Sequence, residues 1–207
     1  MGLRDLKKRQ TREQITGTAA RLFAERGFEH VTVADVAREA QVSLATVFNY
    51  FPGKEDLSYS PLDDFGDRLV DAVRDRPTGE PAVVAFRRQL EGTGGLLQRA
   101  EAGDADAAHR MRAVHQVIAD SPALQARESQ AFARTTARLA AVLAGTADED
   151  CGVRAAVVAH ALMGVHRALV DHVRRRVLSG DLAHLEADVR RHTEAAFTLI
   201  ETGLAGV

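Results

Sequence analysis

Apolar side chains recur at helical spacing along nearly the whole chain, and the alternating pattern of β-strands is absent. Alanine, leucine, arginine and glutamate, which are good helix formers, are abundant. Glycine, proline and serine positions interrupt the pattern and divide it into about nine helices. The pattern therefore predicts an all-α protein. The interruptions lie at Gly27, Val42–Ser43, Pro52–Gly53, Pro61, Pro77–Gly79, Gly103, Ser121–Pro122, Gly145 and Gly180.

The predicted helices fall into two groups by length. Between residues 11 and 51 they span about 16, 8 and 8 residues, whereas beyond Pro77 they span about 20 or more. The aromatic residues are also unevenly placed, since five of the ten precede residue 52. We therefore expect a three-helix domain at residues 1–53 and a larger helical bundle at residues 54–207.

The second and third helices of the first domain have clear start signals. Thr32 is suited to cap the second helix, with Asp35 three residues later as an acidic capping box, and Gly27 ends the helix before it. Ser43 is suited to cap the third helix after a turn of only three residues. Two helices joined by so short a turn predict a helix-turn-helix.

The third helix has two unlike sides on a helical wheel. One side predicts a packed stripe of four apolar residues: Leu44, Val47, Phe48 and Phe51. The other side is small or polar: Ala45, Thr46, Asn49 and Tyr50. No acidic residue lies on it, which favours a surface that rests against DNA. Thr46 and Asn49 have the chemistry to contact base edges, and Asn suits adenine.

Basic residues cluster at the start of the chain, although the net charge is only -2. Residues 1–12 contain five bases against the single acid Asp5: Arg4, Lys7, Lys8, Arg9 and Arg12. We expect a basic arm that reaches phosphates, together with phosphate contacts from Thr32, Ser43, Tyr50 and Lys54. The alternative is that the arm is only solvated, the caps only cap and Tyr50 only packs.

Residues 9–57 resemble the DNA-binding domain of TetR-type transcriptional regulators. The resemblance rests on "AARLFAERG", on "VSLATVFNYF" and on the "KEDL" that follows. It implies an all-α homodimer that binds double-stranded DNA at a palindromic operator, with a C-terminal domain for a small-molecule effector. Phe48 departs from the tyrosine frequent in the family, and Ala45 from the glycine. The DNA contacts implied are Thr32, Ser43, Ala45, Thr46, Phe48, Asn49, Tyr50 and Lys54.

The C-terminal half offers weaker signals. "SPALQAR", residues 121–127, is similar to a TetR subgroup that binds acyl-CoA-like effectors, but Ser121 and Pro122 are equally explained as a helix cap and first-turn proline. His115 and His166 lie on apolar stripes, either as core histidines or as polar groups of an effector cavity. The residues expected to line that cavity with them are Phe86, Met111, Phe132 and Met163.

Other features bear on metals, assembly and location. Histidines six residues apart point to different sides of a helix, so we expect no metal site, and no motif implies a cofactor. The last two helices, about 150–178 and 181–203, contain Gly164 and many alanines and predict a homodimer through this pair. The single Cys151, with no membrane span or signal segment, predicts a cytoplasmic protein.

These observations predict a ligand-responsive, sequence-specific transcriptional regulator, a repressor released from its operator by a small apolar or amphipathic effector. A DNA-binding regulator with no small-molecule ligand, gated by a protein partner, is the alternative. An enzyme is not supported, because the sequence has no phosphate loop, nucleophile elbow or two-histidine metal motif.

Overall fold

The computed structural model describes residues 2–92, 95–145 and 149–203, and every regular element within these ranges is a helix. The prediction of an all-α fold is confirmed. Ten helices lie in the described part of the chain, one more than the pattern predicts: α1 (Leu3–Arg26), α2 (Val33–Glu39), α3 (Leu44–Tyr50), α4 (Lys54–Arg74), α5 (Ala82–Glu91), α6 (Gly95–Glu101), α7 (Ala105–Asp120), α8 (Pro122–Ala144), α9 (Glu149–Ser179) and α10 (Leu185–Thr202).

Three features differ from the predicted boundaries. Helices α5 and α6 span only 10 and 7 residues, so the prediction of helices of about 20 residues or more beyond Pro77 is wrong there. Helix α4 continues through Pro61, so the predicted break there is wrong. Helix α1 begins at Leu3, so the basic segment at residues 4–12 is helical and not an extended arm. The reason is that lysine, arginine and glutamine favour helix, and helical hydrogen bonds already form from Leu6, whose amide donates to the Gly2 carbonyl.

The chain divides into two compact units. The first comprises Met1–Asp63 and Gln116–Glu128, and the second comprises Asp64–His115 and Ser129–Val207. The first unit therefore extends ten residues beyond the boundary expected at residue 53, and it includes a corner of the C-terminal half, residues 116–128. Helices α4, α7 and α8 each contribute residues to both units.

The first unit is built around an apolar core drawn from α1, α2, α3 and the start of α4. Ile118 and Leu124 from residues 116–128 join the same core. The fully or nearly fully buried members of the N-terminal part are Ile15, Ala19, Leu22, Phe23, Val31, Val36, Ala40, Val47, Phe51 and Leu57. Since both parts of the chain bury side chains in one core, they stabilise each other.

Polar contacts join the same two segments. The Ser121 hydroxyl donates to the Glu29 carboxylate at 2.9 Å, and Arg127 Nε donates to Asp56 Oδ1 at 3.0 Å. Arg127 also forms an ion pair with Asp63, and its side chain is only 11% exposed. Leu124 N donates to Ser121 Oγ at 3.4 Å, so Ser121 caps α8 as its sequence suggests.

The second unit contains two separate apolar clusters. One is formed by α4, α5, α8, α9 and α10 around Phe86, Leu162 and Phe197. The other is formed by α6, α7, α9 and α10 around Met111, Val177 and Leu185. Helices α4 and α8 approach closely at Gly66, where a Cβ atom would lie 2.6 Å from Thr135 Oγ1.

The outward side of α9 is apolar and small. Val153 and Val157 are 71% and 64% exposed, and they share this side with exposed Ala161, Gly164 and Ala168. Residues 152–179 are also long and apolar enough, by length and composition alone, to resemble a membrane span, contrary to the expectation of no such segment. The same composition is typical of a helix that pairs with other helices.

Candidate nucleic-acid interface

Helix α2 begins with the predicted capping box. Asp35 N donates to Thr32 Oγ1 at 3.1 Å, and Thr32 N donates to Asp35 Oδ2 at 3.0 Å. The hydrogen bond from the Thr32 hydroxyl is the main reason why the pKa of Asp35 is lowered to about 2, with smaller contributions from the Thr32 amide and from Arg38. The carboxylate is therefore charged at neutral pH and holds the first turn of α2 in place.

Helices α1 and α2 are joined by polar contacts on the surface of the unit. Gln14 Nε2 donates to the Ala40 carbonyl at 2.8 Å, and Arg21 pairs with Glu39 at 2.6 Å and with Glu25 at 3.1 Å. These contacts fix the two helices that support α3, and the turn before α3 is closed by Gln41 with a positive φ of 55°.

Ser43 caps α3 as predicted. Thr46 N donates to Ser43 Oγ at 3.0 Å, and the two hydroxyls of Ser43 and Thr46 lie 2.7 Å apart. The Thr46 hydroxyl is thus engaged at the start of its own helix, and Thr46 is half-buried. The sequence predicts that Thr46 contacts a base edge. Its placement in the structure instead favours a role in holding the first turn of α3.

The exposed side of α3 differs from the predicted one. Val47 and Phe51 are buried as expected, but Leu44 and Phe48 are 44% and 48% exposed. The predicted packed stripe is therefore wrong for Leu44 and Phe48. The reason is that Phe51 lies beyond the helix in extended backbone, with φ −138° and ψ 107°, so its burial does not indicate which side of α3 faces the core.

The outward side of α3 is formed by four exposed residues: Leu44, Ala45, Phe48 and Asn49. Ala45, Phe48 and Asn49 were proposed from the sequence, whereas Leu44 was missed. Helix α3 contains no acidic or basic residue. Such a surface has no charge that would repel the phosphates of DNA or that would require water when it is covered.

Two further predicted DNA contacts, Tyr50 and Lys54, lie at the end of α3 and at the start of the next helix. Tyr50 is half-buried and packs against the core of the first unit, with its ring centroid 6.3 Å from that of Phe51. The Lys54 ammonium lies 4.1 Å from the centroid of the Phe28 ring. Both polar groups lie at element ends, Tyr50 at the end of α3 and Lys54 at the start of α4.

The first turns of α1 add positive charge to the same unit. Arg4, Lys7, Lys8 and Arg9 are exposed, and Arg12 is half-buried with its guanidinium 5.7 Å from the centroid of the Phe51 ring. A row of cations on one helix has the chemistry to contact phosphates in succession. The structure thus places basic side chains and an uncharged helix surface in one compact unit.

The residues predicted to bind an effector do not all come together. Phe86 and Met163 are buried in the first cluster of the second unit, and Phe132 packs against it, whereas Met111 lies in the other cluster. His115 is half-buried on α7. The structure therefore brings Phe86, Phe132 and Met163 together in one apolar cluster, and His166 meets that cluster through the Phe132 ring.

His166 has the most unusual surroundings of these residues. Its ring lies between those of Phe65 and Phe132, each with its centroid 5.1 Å away. Its Nδ1 atom is buried and makes no hydrogen bond to the described residues. Burial, with a smaller contribution from Arg167, lowers the pKa of His166 to about 4, so the imidazole is neutral at pH 7.

The described residues contain no candidate metal site. Within residues 2–92, 95–145 and 149–203, no group of three or more His, Cys, Asp or Glu side chains is arranged to hold an ion. His172 and His192 do meet, with ring centroids 4.8 Å apart, but these are only two residues. The side chain of Cys151 lies outside the described part.

Comparison with known proteins agrees with the helix-turn-helix. Residues 15–58 match the N-terminal domain of the bacterial regulatory proteins of the tetR family. The chain is also similar to the HTH-type transcriptional regulator TcmR of Streptomyces glaucescens, with 30% identity over 149 residues. That alignment covers 72% of this chain and 66% of TcmR, so the chain spans just under two thirds of its relative's length.

Solved structures share the fold along almost the whole chain. A TetR-family transcriptional regulator from Syntrophomonas wolfei has a TM-score of 0.60 at 16% identity, covering 97% of this chain and 99% of its own. NalD, the secondary repressor of the MexAB-OprM multidrug efflux pump in Pseudomonas aeruginosa, has a TM-score of 0.53 at 16% identity, with 93% and 96% covered. At such low identity these likenesses show the fold alone.

Proposed function

Because the chain belongs to the TetR family of bacterial regulatory proteins, a family of transcriptional regulators and not of enzymes, we propose that it represses transcription by sequence-specific DNA binding in the cytoplasm. The observation that carries the proposal is the outward side of α3, which is exposed and uncharged and belongs to the same compact unit as the exposed basic residues of α1. A surface of this kind is suited to enter a major groove while cations hold the phosphates on either side.

The proposed contacts follow from the chemistry of each residue. Asn49 hydrogen-bonds an adenine edge, and Ala45 allows the helix backbone to approach the bases. The four residues Thr32, Ser43, Tyr50 and Lys54 hold the phosphate backbone through backbone amides, hydroxyls and an ammonium. Thr46 positions the start of α3 through Ser43. Phe48 has no hydroxyl for a phosphate, so its contact with DNA must be apolar.

We also propose that the chain acts as a homodimer through α9 and α10. The outward side of α9 bears five small or apolar residues without a charge: Val153, Val157, Ala161, Gly164 and Ala168. On α10, the exposed residues Ala187, Ala195 and Leu199 lie on one side, with the exposed Arg191, which pairs with Asp188, between them. Such surfaces are suited to pair with a second copy about a twofold axis, which would place two copies of α3 on a palindromic operator.

An effector is proposed to release the operator. His166, with Phe65 and Phe132 on either side and Met163 and Phe86 in the adjoining cluster, offers one neutral hydrogen-bonding group in apolar surroundings. This suits a small apolar or amphipathic molecule. If the effector prefers a dimer whose α3 helices do not fit grooves about 34–36 Å apart, it lowers affinity for DNA by its differential affinity for the two states.

The proposal is tested by selecting bound duplexes from a randomised library with the full-length protein and then measuring affinity across a salt series. We expect one enriched palindrome, bound more tightly than a scrambled duplex, with an affinity that falls steeply as salt rises. Equal and weak binding to every duplex would exclude sequence-specific regulation by this chain.

A further inference from the structure

Two large apolar side chains lie exposed next to each other on the outward side of α3. Leu44 and Phe48 are one helical turn apart and are 44% and 48% exposed. Residues four apart on a helix are neighbours, so the leucine side chain and the phenyl ring form one continuous apolar strip. The strip borders Asn49, the residue proposed to read adenine.

The strip contributes little to the core of its own unit. Val47 and Phe51 from the same segment are 0% and 2% exposed and supply the core contacts. The remaining surface of Leu44 and Phe48 is open to a partner, and α3 carries no charge that would favour a charged protein surface there. The exposed cations of α1 in this unit instead favour an anionic partner.

Among the groups that DNA displays in its major groove, only one is apolar, the 5-methyl group of thymine. We propose that Phe48 and Leu44 recognise thymine 5-methyl groups, so that each operator half-site carries thymines beside the adenine that Asn49 contacts. This inference rests on the proposed DNA-binding function and adds a specificity that Asn49 alone does not supply. A phenyl ring without a hydroxyl suits this contact, whereas it cannot donate to a phosphate.

The test uses the highest-affinity duplex from the randomised library and replaces each dT in turn by dU, which removes only the methyl group. We expect at least one position in each half-site where wild-type affinity falls about fourfold, the effect of exposing one methyl-sized group. Replacing both symmetry-related thymines should lower affinity about fifteenfold, since the two losses multiply.

Variants assign each methyl group to its residue. Phe48→Ala should bind the dT and dU duplexes equally at its position, while Phe48→Tyr, which keeps the ring, should still distinguish them. Leu44→Ala should lose the preference at a different thymine. Asn49→Ala is the matched control on the same surface: it should weaken operator binding but keep the dT preference. Thermal melting of each variant checks that the fold is retained.

The outcomes separate this inference from the proposed function. A wild-type protein that binds one duplex selectively but is indifferent to every dU replacement would overturn methyl recognition while leaving operator binding intact. Methyl recognition by these two residues is equally excluded if Phe48→Ala and Leu44→Ala keep the full dT preference. Failure to enrich any duplex would instead remove the proposed function and this inference with it.

Discussion

Asn49 is the residue of α3 whose side chain has the most specific hydrogen-bonding chemistry on the outward side of the helix. We expect Asn49→Ala to lower the affinity for the selected operator by about 1–3 kcal/mol, because a bidentate contact with adenine is lost. Affinity for scrambled DNA should be unchanged, because it depends on phosphate contacts and not on the base contact of Asn49. The fold should be retained, since Asn49 is exposed. Fluorescence anisotropy with both duplexes measures the difference.

Lys54 is the contrasting residue for that measurement. Lys54→Ala should weaken binding to operator and scrambled DNA alike, and the slope of log affinity against log salt should fall by about 1.8, because the dimer loses one phosphate contact in each protomer. The ammonium also lies over the Phe28 ring. A thermal melt of Lys54→Ala is therefore needed to check that the variant keeps its fold. A loss confined to the operator would contradict the phosphate contact.

His166 makes stability depend on pH in a defined direction. Its pKa is about 4 in the folded chain against 6.5 for the unfolded one, so the unfolded chain takes up the proton first as pH falls. The contribution of His166 to the free energy of unfolding therefore falls by up to about 3 kcal/mol between pH 6.5 and about 4, and that contribution does not change further below pH 4. Denaturant unfolding at several pH values should show this loss.

The substitution His166→Phe should flatten that part of the pH dependence, because the group that resists protonation is gone. His160→Phe is the control on the same helix, since its ring is exposed, and it should leave the curve as it is. If His166→Phe and the parent protein lose the same stability between pH 6.5 and about 4, the burial of a neutral imidazole is not the cause.

Residue-level predictions from the sequence succeeded where the physical cause is local. The caps at Thr32 and Ser43 follow from hydrogen bonds over three residues, which sequence spacing specifies directly. The exposure of Leu44 and Phe48 did not follow, because α3 has only seven residues and Phe51, used to orient it, is not helical. Whether His115 and His166 lie together depends on how helices distant in sequence pack, so the sequence could not predict it.

At the scale of elements, α4 and α8 approach closely at Gly66. Gly66→Ala should destabilise the protein by about 1–3 kcal/mol, because the new methyl group would lie 2.6 Å from Thr135 Oγ1. Thr135→Ala removes that oxygen, so the double variant should recover much of the loss. Chemical unfolding of the parent, the two single variants and the double variant gives the coupling energy.

Gly17→Ala is the control for helix propensity in that series. Nothing lies within 4 Å of the added methyl group, and alanine is a better helix former than glycine by about 1 kcal/mol. We expect Gly17→Ala to stabilise the protein. If Gly66→Ala were stabilising as well, the approach of α4 to α8 would not be tight.

The helices themselves were largely predictable, because apolar periodicity and capping residues are local features of the sequence. Pro61 was not, since a proline is a strong break signal and α4 nevertheless continues through it. The basic segment was expected to be an arm because five bases cluster in residues 1–12. Its helix-forming residues instead extend α1 to Leu3.

At the scale of the whole molecule, the exposed side of α9 makes assembly testable. Val157→Glu should shift the protein towards monomer and weaken operator binding, because a carboxylate would be buried in the proposed twofold contact. Sedimentation velocity over a range of concentrations measures the shift. Val84→Glu, the same substitution at a 42% exposed valine of α5, should leave the sedimentation profile unchanged.

The two-part organisation was predictable only in outline. Composition and helix length indicated a small N-terminal domain, and the helix-turn-helix within it was confirmed. The inclusion of residues 116–128 in the same unit was not predictable, because Ile118 and Leu124 join that core from a distant part of the chain. Local sequence patterns do not predict contacts between segments so far apart in the chain.

That shared core limits how the protein can be cut and recombined. A fusion of residues 1–53 to another regulator would omit Ile118 and Leu124 from the core. It would also omit Ser121, the partner of Glu29, and Arg127, the partner of Asp56. A chimaera that contains residues 1–53 must also contain residues 116–128, or a segment that makes equivalent contacts. The transferable module is therefore discontinuous in the gene, although it is compact in space.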